Sequence, residues 1–337
     1  MSQASRPISA SELFELGMQL DAIFTPYAKR QREKFYTEKG ALRAAARFVH
    51  YTTAEGALKI IGSKRVWMRN TTCMADYREV QHGFEMLQRF FGDATRKKQL
   101  YDALNAVSQN LAEEAVGLFD QWWANIRFGT YITSISEHDE KEDLHGRLSM
   151  WRAFGGNTAR VAIVMNIPWL SPGSAALNLM VSPVAYLQEE EAHAVMAEVV
   201  KNIEANRDFL RSVDRQFVVA AVFNMLVAAV TCLKHEGFHE EREWRIIYAP
   251  LRSPSPLIES SLEVVGGVPQ IVYKLPLDAK VSDALSDLDA ARLFDRLIIG
   301  PSQFSWAMYE AFTKALTGIG VEQAEKRVFI STIPIRS

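Results

Sequence analysis

The chain has 337 residues, 48% hydrophobic and 23% charged, an ordinary globular composition that is ample for a sizeable buried core. Lys+Arg 38 against Asp+Glu 40 leaves a formal net charge of -2, so no global basic field recruits nucleic acid. Cys73 and Cys232 match no metal or redox spacing and predict a reduced, cytoplasmic setting.

The N-terminal segment has no basic stretch followed by an apolar core, so no signal peptide is expected. Ser9 and Glu12 have capping-box spacing ahead of Leu13, Phe14, Leu16 and Leu20. That predicts a helix pair up to about Arg47, interrupted near Pro26 and Gly40. Phe48 to Thr52 reads as a strand, with Thr53 capping a helix that Gly62 ends. Val66-Trp67-Met68 is a second strand, a loop runs from Asn70 to Glu79, and Gln81 to about Arg127 reads as helical. The alternating stretch Gly129 to Ser136 is a strand. It runs into an acidic loop, Glu137 to Asp143, which lacks the ligand spacing and glycine of a calcium loop and reads as solvated.

Val161 to Met165 has the composition of a buried strand, and about Glu189 to Glu236 is helical. Within it, Phe217 to Leu233 is a 17-residue apolar run broken by Asn224 and Thr231. It is short for a membrane span and predicts a helix buried on all sides, with no membrane as partner. Strands at Gln270 to Leu275, Leu297 to Ile299 and Val328 to Ser331, with a helix from Ser305 to Leu316, complete the pattern. Glu259 and Glu263 fall in a loop-like region ahead of them. Short strands separated by helices of uneven length predict an α+β fold. The expected plan is a helical N-terminal extension over 1–47 and a single α+β domain over 48–337, with helical insertions near 81–127 and 189–236.

The chemistry is concentrated in Glu240-Glu241-Arg242-Glu243-Trp244-Arg245, which turns apolar and β-branched at Ile246-Ile247-Tyr248. Read as a turn feeding a strand, it puts Glu241, Glu243 and Arg245 on one face and Arg242, Trp244 and Ile246 on the other. Two carboxylates with a cation beside them can hold and tune an acid, although the same pattern also suits an exposed salt-bridge ladder. His50, Thr133, Ser134 and Ser136 add polar residues to strands whose cores would want apolar ones, which suggests a shared cleft.

His235-Glu236-Gly237-Phe238-His239 fits the H-E-x-x-H pattern of a zinc hydrolase, which needs a helix to bring both imidazoles to one face. Gly237 and the charged residues after it argue against that helix, so no metal site is expected. The sequence has no phosphate-binding glycine loop and no G-x-S-x-G, so nucleotide hydrolysis by such a loop and serine-hydrolase chemistry are unsupported.

Taken in order, His50-Tyr51-Thr52, Asp76-x-x-Glu79, Ile132 to Ser136, Met150-Trp151 and Glu241-x-Glu243-Trp244-Arg245 resemble a bacterial family known as domain of unknown function 2971. Ile299-Gly300-Pro301 and Ser331-x-Ile333-Pro334-x-Arg336 continue the resemblance. A looser likeness is to ADP-ribosyltransferases, with His50, Ser134-Ile135-Ser136 and Glu241-Arg242-Glu243 in that order. It implies a core of two small, mostly antiparallel sheets and NAD as substrate, its ADP-ribose passing to a macromolecular acceptor in a toxin or phage-defence effector. Glu243 would then hold the ribose and stabilise an oxocarbenium ion, Ser134 would steady Glu243, and Glu241 would orient or deprotonate the acceptor. His50 would bind the adenosine ribose, with Tyr51, Thr52, Ser136, Trp151 and Arg245 also contacting NAD. Tyr77, Tyr131 and Trp151 remain open as the ring that stacks on nicotinamide. A departure is that a histidine first motif normally pairs with a middle tyrosine. The alternative of a different class is a non-catalytic ligand-binding or sensor module on the same fold.

Overall fold

A computed structural model describes residues 10–35, 45–73, 77–153, 159–168 and 172–334. In chain order, helices α1 (Ala10–Phe24) and α2 (Pro26–Glu33) precede strand β1 (Ala45–Thr53), helix α3 (Ala54–Ser63) and strand β2 (Arg65–Asn70). Next come α4 (Tyr77–Gly92), α5 (Ala94–Val107), α6 (Leu111–Phe128), β3 (Tyr131–Glu137), α7 (Leu148–Ala153) and β4 (Arg160–Pro168). They are followed by α8 (Pro172–Ala176), β5 (Met180–Pro183), β6 (Ala185–Tyr186), α9 (Glu189–Ala205), α10 (Arg207–Ser212) and α11 (Arg215–Thr231). The last stretch carries β7 (Leu233–Lys234), β8 (Glu243–Tyr248), β9 (Glu259–Val265) and β10 (Val268–Pro276). It then adds α12 (Ala290–Leu293), β11 (Phe294–Ile299), α13 (Ser305–Gly318) and β12 (Val328–Ile330).

The fold is mixed α+β, and it divides into two compact units. One unit gathers residues 1–34, 78–126 and 185–236. The extension and the two insertions, expected as separate additions to one domain, therefore form a helical unit of their own. Its centre is α11, nine of whose residues are buried, among them Phe223, Leu226 and Val230. The helix is not buried all round: Phe217, Ala220, Ala221 and Ala228 are half-buried and Asn224 is exposed. These positions recur at helical spacing, so one side is open, and its alanines hide that side from a hydrophobicity pattern. No helix among the described residues is long and apolar enough to cross a membrane.

The second unit holds residues 35–77, 127–184 and 237–337. Its strands run in the order β12-β11-β4-β1-β3-β2-β10-β9, with β8 paired to β3 and β5 paired to β8. The expected two small sheets are joined by hydrogen bonds into one ten-stranded sheet. Every pairing in it is antiparallel except β11 with β12. The join is at β3: β8 lines one edge over Tyr131 to Ser136, while the other edge meets β2 at Tyr131 and Ile132 and β1 at Ser136 and Glu137. Between those two contacts the sheet has a gap.

Side-chain alternation builds two apolar layers. Phe48, Ile135, Ile163, Trp244, Ile246 and Leu297 belong to the larger core, and Val49, Tyr51, Trp151, Ala162, Val164 and Ile298 to a smaller one. Thr53 caps α3 by accepting from the Gly56 amide at 2.9 Å, as its spacing predicts, but the helix runs past Gly62 and ends at Lys64 in a left-handed conformation (φ 50°). The expected loop to Glu79 ends earlier, because α4 begins at Tyr77; Ser9, Gly40, Asp76 and Arg336 lie outside the described residues. Glu259 and Glu263, expected in a loop, lie on β9, where Glu263 pairs with Lys274 at 2.8 Å.

Candidate functional site

Strand β8 supplies the centre of the site. Trp244, Ile246 and Tyr248 join the larger core, so Glu243, Arg245 and Ile247 face the other way. The register with β3 sets Ser136 opposite Glu243 and Ser134 opposite Arg245. Directly opposed residues share a face, so these four polar side chains lie together.

Ser134 Oγ donates to Glu243 Oε1 at 2.5 Å. Arg245 Nε donates to the same oxygen at 2.9 Å, and its Nη2 to Oε2 at 3.3 Å. Glu243 is 6% exposed and Arg245 3%. Charges this deep persist only when paired and hydrogen-bonded, and here the guanidinium fork and the serine hydroxyl supply both.

His50 occupies the gap in the sheet. Its Nδ1 lies 2.8 Å from the Ser134 carbonyl, and a carbonyl only accepts, so Nδ1 carries the proton and Nε2 is the bare nitrogen of the neutral ring. Burial lowers the His50 pKa, opposed by that hydrogen bond, although the residue is only half-buried by surface. Ser134 thus joins the two expected residues, its carbonyl to His50 and its hydroxyl to Glu243. The link to His50 runs through main chain only: alternation along β1 sends Val49, opposite Ser136, to the face that carries Glu243, so the His50 side chain takes the other face and the expected shared cleft is not formed by these two side chains.

Tyr51 is buried, and its hydroxyl, pushed up to about 12 by burial, accepts the Arg147 amide at 2.8 Å. Thr52 is half-buried and packs on the first turn of α3, beside Gly56. Trp151 sits in the smaller core, edge-on to Tyr51 with ring centroids 4.9 Å apart. Its Nε1 donates to the His145 carbonyl at 2.8 Å. A Cβ on Gly146 or Gly300 would come within 2.6 or 3.0 Å of its ring. The indole, one of the three rings left open for a nicotinamide, is thereby enclosed and packs in the core. Tyr131 is likewise buried, edge-on to Tyr273 at 4.5 Å.

Glu241 is not on the strand. It ends a 3-10 segment, Glu236–Glu241, and Arg242 then adopts a left-handed conformation (φ 43°) before β8 starts at Glu243. The alternation expected to align Glu241 with Glu243 is broken there, because a left-handed residue turns the chain out of its extended course. The same segment removes the frame required by H-E-x-x-H: with three residues per turn, positions i and i+4 do not share a face.

The acidic loop, expected to be solvated, is a network of ion pairs. Asp143 meets Arg47 at 2.6 Å, Arg296 at 2.9 Å and His138 at 2.9 Å. Burial pushes the Asp143 pKa up, but Arg47, His138 and Arg296 outweigh it and hold the carboxyl below its ordinary value. Glu142 binds both Arg147 and Arg242. Beside them opens a hollow of about 730 Å³, whose charged lining includes Lys141, Arg147, Arg152, Glu240 and Arg242. Arg147 was not singled out from the sequence, because its partners reach 94 positions away; the nearby Glu142 is the one local hint.

The profile of a family described as protein of unknown function (DUF2971) matches residues 150–246. Over that stretch, which runs from Met150-Trp151 to Glu243, Arg245 and Ile246, the chain is similar to the family. No curated protein and no solved structure matches the chain.

Proposed function

We propose that the protein transfers ADP-ribose from NAD to a macromolecular acceptor. One observation carries the reading: the buried Glu243 carboxylate, held by Ser134 and Arg245 on neighbouring strands. Cleavage of the nicotinamide–ribose bond sends its electron pair to the departing nicotinamide and leaves positive charge on the ribose. A fixed carboxylate stabilises that charge, and Glu243 has the fixity the role demands. Ser134 keeps Glu243 in one rotamer. Neutral His50 offers Nε2 as an acceptor for a hydroxyl of the adenosine ribose. Glu241 orients the acceptor and takes its proton as the new bond to the ribose forms. Kinship of the sheet with an ADP-ribosyltransferase core, and work as a toxin or phage-defence effector in the cytoplasm, belong to the same proposal by analogy.

A second reading has its own support. Arg245 neutralises Glu243 at 2.9 Å, and a carboxylate so paired also suits a binding or sensor module without turnover. Incubating wild-type protein and Glu243→Gln with labelled NAD and cell lysate separates the two. Transfer of label by the wild type and its loss in the variant supports the transferase. NAD binding without transfer or hydrolysis supports the module.

A further inference from the structure

We infer that Arg147 is a positioning residue that sets the course of the chain into β8, and through it the placement of Glu243; the inference rests on the reading of Glu243 as the catalytic carboxylate. A guanidinium has five N–H donors in a rigid plane. All five are engaged here. Nε donates to Glu142 Oε1 at 2.9 Å, and Nη2 to Glu142 Oε2 at 3.1 Å and the Glu137 carbonyl at 2.7 Å. Nη1 donates to the carbonyls of Glu240 and Glu241 at 2.8 and 2.9 Å. One side chain therefore ties the residue that ends β3 to the two that precede Arg242 and β8.

The clamp is itself anchored. The Arg147 amide donates to the Tyr51 hydroxyl on β1, and Glu142 is held in place by a capping box with Asp139 and by Arg242. The Glu137 amide in turn donates to the Arg242 carbonyl at 3.0 Å. Arg242 holds a left-handed backbone that a residue with a Cβ adopts at a cost, so something must hold it there. Three main-chain carbonyls on one guanidinium do so. Lysine cannot substitute: its three donors lack the planar fork that reaches a carboxylate and two loops at once.

The test compares wild type, Arg147→Lys and Arg147→Ala by amide hydrogen exchange and by NAD turnover. Each lost hydrogen bond to the clamped carbonyls loosens the start of β8, so the Glu137 and Glu243 to Arg245 amides should exchange about tenfold faster or more in both variants. Amides of β4 and β11 should keep their protection. The kcat for NAD cleavage should fall about 100-fold with KM for NAD little changed, because displacement rather than lost binding is the cause. Lysine should not rescue either readout. Wild-type exchange in Arg147→Lys, or loosening spread evenly through the sheet, would overturn the inference. If wild-type protein cleaves no NAD, the catalytic reading fails by itself, and the exchange pattern still decides whether Arg147 sets β8.

Discussion

Glu243 and Arg245 lie 2.9 Å apart with almost no solvent, so each compensates the other's desolvation, and removing either takes that compensation from a buried charge. Glu243→Gln keeps the shape and the Ser134 contact but removes the charge. If that charge acts mainly in the transition state, turnover should drop about 100-fold, roughly 3 kcal/mol, while NAD affinity holds. A parallel loss of affinity would show that Glu243 serves binding instead. The variant also removes the carboxylate that Arg245 meets at 2.9 Å, so a melting curve must accompany the kinetics.

His50 permits a prediction with a definite sign. Burial sets its pKa below the ordinary 6.5, against the pull of the Ser134 carbonyl. The folded state then binds a proton less readily than the unfolded chain, so stability falls as pH drops below about 6.5 towards the folded value, and is level above that. His138 shifts the same way, by burial first and against its bond to Asp143. Asp143, held below 3.8, adds its own loss only at lower pH. The wild-type melting temperature should therefore decline from pH 7 to pH 5, and His50→Gln should flatten the decline without abolishing it. Identical slopes in the two proteins would show that His50 is not held neutral in the fold.

At the scale of elements, close approach decides what a pattern cannot show. Gly83 on α4 lies against α11 so tightly that an added Cβ would sit 2.6 Å from the Val230 carbonyl and 2.8 Å from that of Ala229. Both are backbone atoms, so one helix must move. Gly83→Ala should cost about 1–3 kcal/mol despite its better helix propensity, and lower the melting temperature by several degrees. An unchanged or raised melting temperature would mean that the helices part freely. Nothing around Gly83 in the sequence announces this contact. By contrast β8 was legible, because the chain turns apolar and β-branched at Ile246-Ile247-Tyr248, and so was the Thr53 cap, which acts within three residues. Strand β9 was not: Glu259-Ser260-Ser261-Leu262-Glu263 reads as loop, and only its pairing with β10 makes it a strand. Arg242 was invisible for a related reason, since its backbone is set by partners far along the chain.

For the molecule as a whole, the sequence marks where helices and strands lie but not which of them share a core. The N-terminal helices read from the sequence as an extension ahead of the α+β domain, yet their apolar residues meet helices over 150 positions later. Helix α1 packs on α9 and α11, and Leu20, Ile23 and Phe24 are at most 6% exposed. Thr25 and Pro26 break the pair at the place the proline suggests, and α2 then lies along α9, where Arg30 meets Glu198 at 2.7 Å. That exposed pair contributes little. The apolar burial contributes most: three large side chains at about 1.5–3 kcal/mol each give roughly 5 kcal/mol or more to the helical unit. Deleting residues 1–34 should therefore strip α9 and α11 of their cover and yield protein that aggregates or melts well below the full chain. The decisive measurement is the melting curve of the truncated chain beside the full one. A soluble truncation with an unchanged curve would make the two helices an appendage after all, and would return the helical unit to α4–α6 and α9–α11 alone.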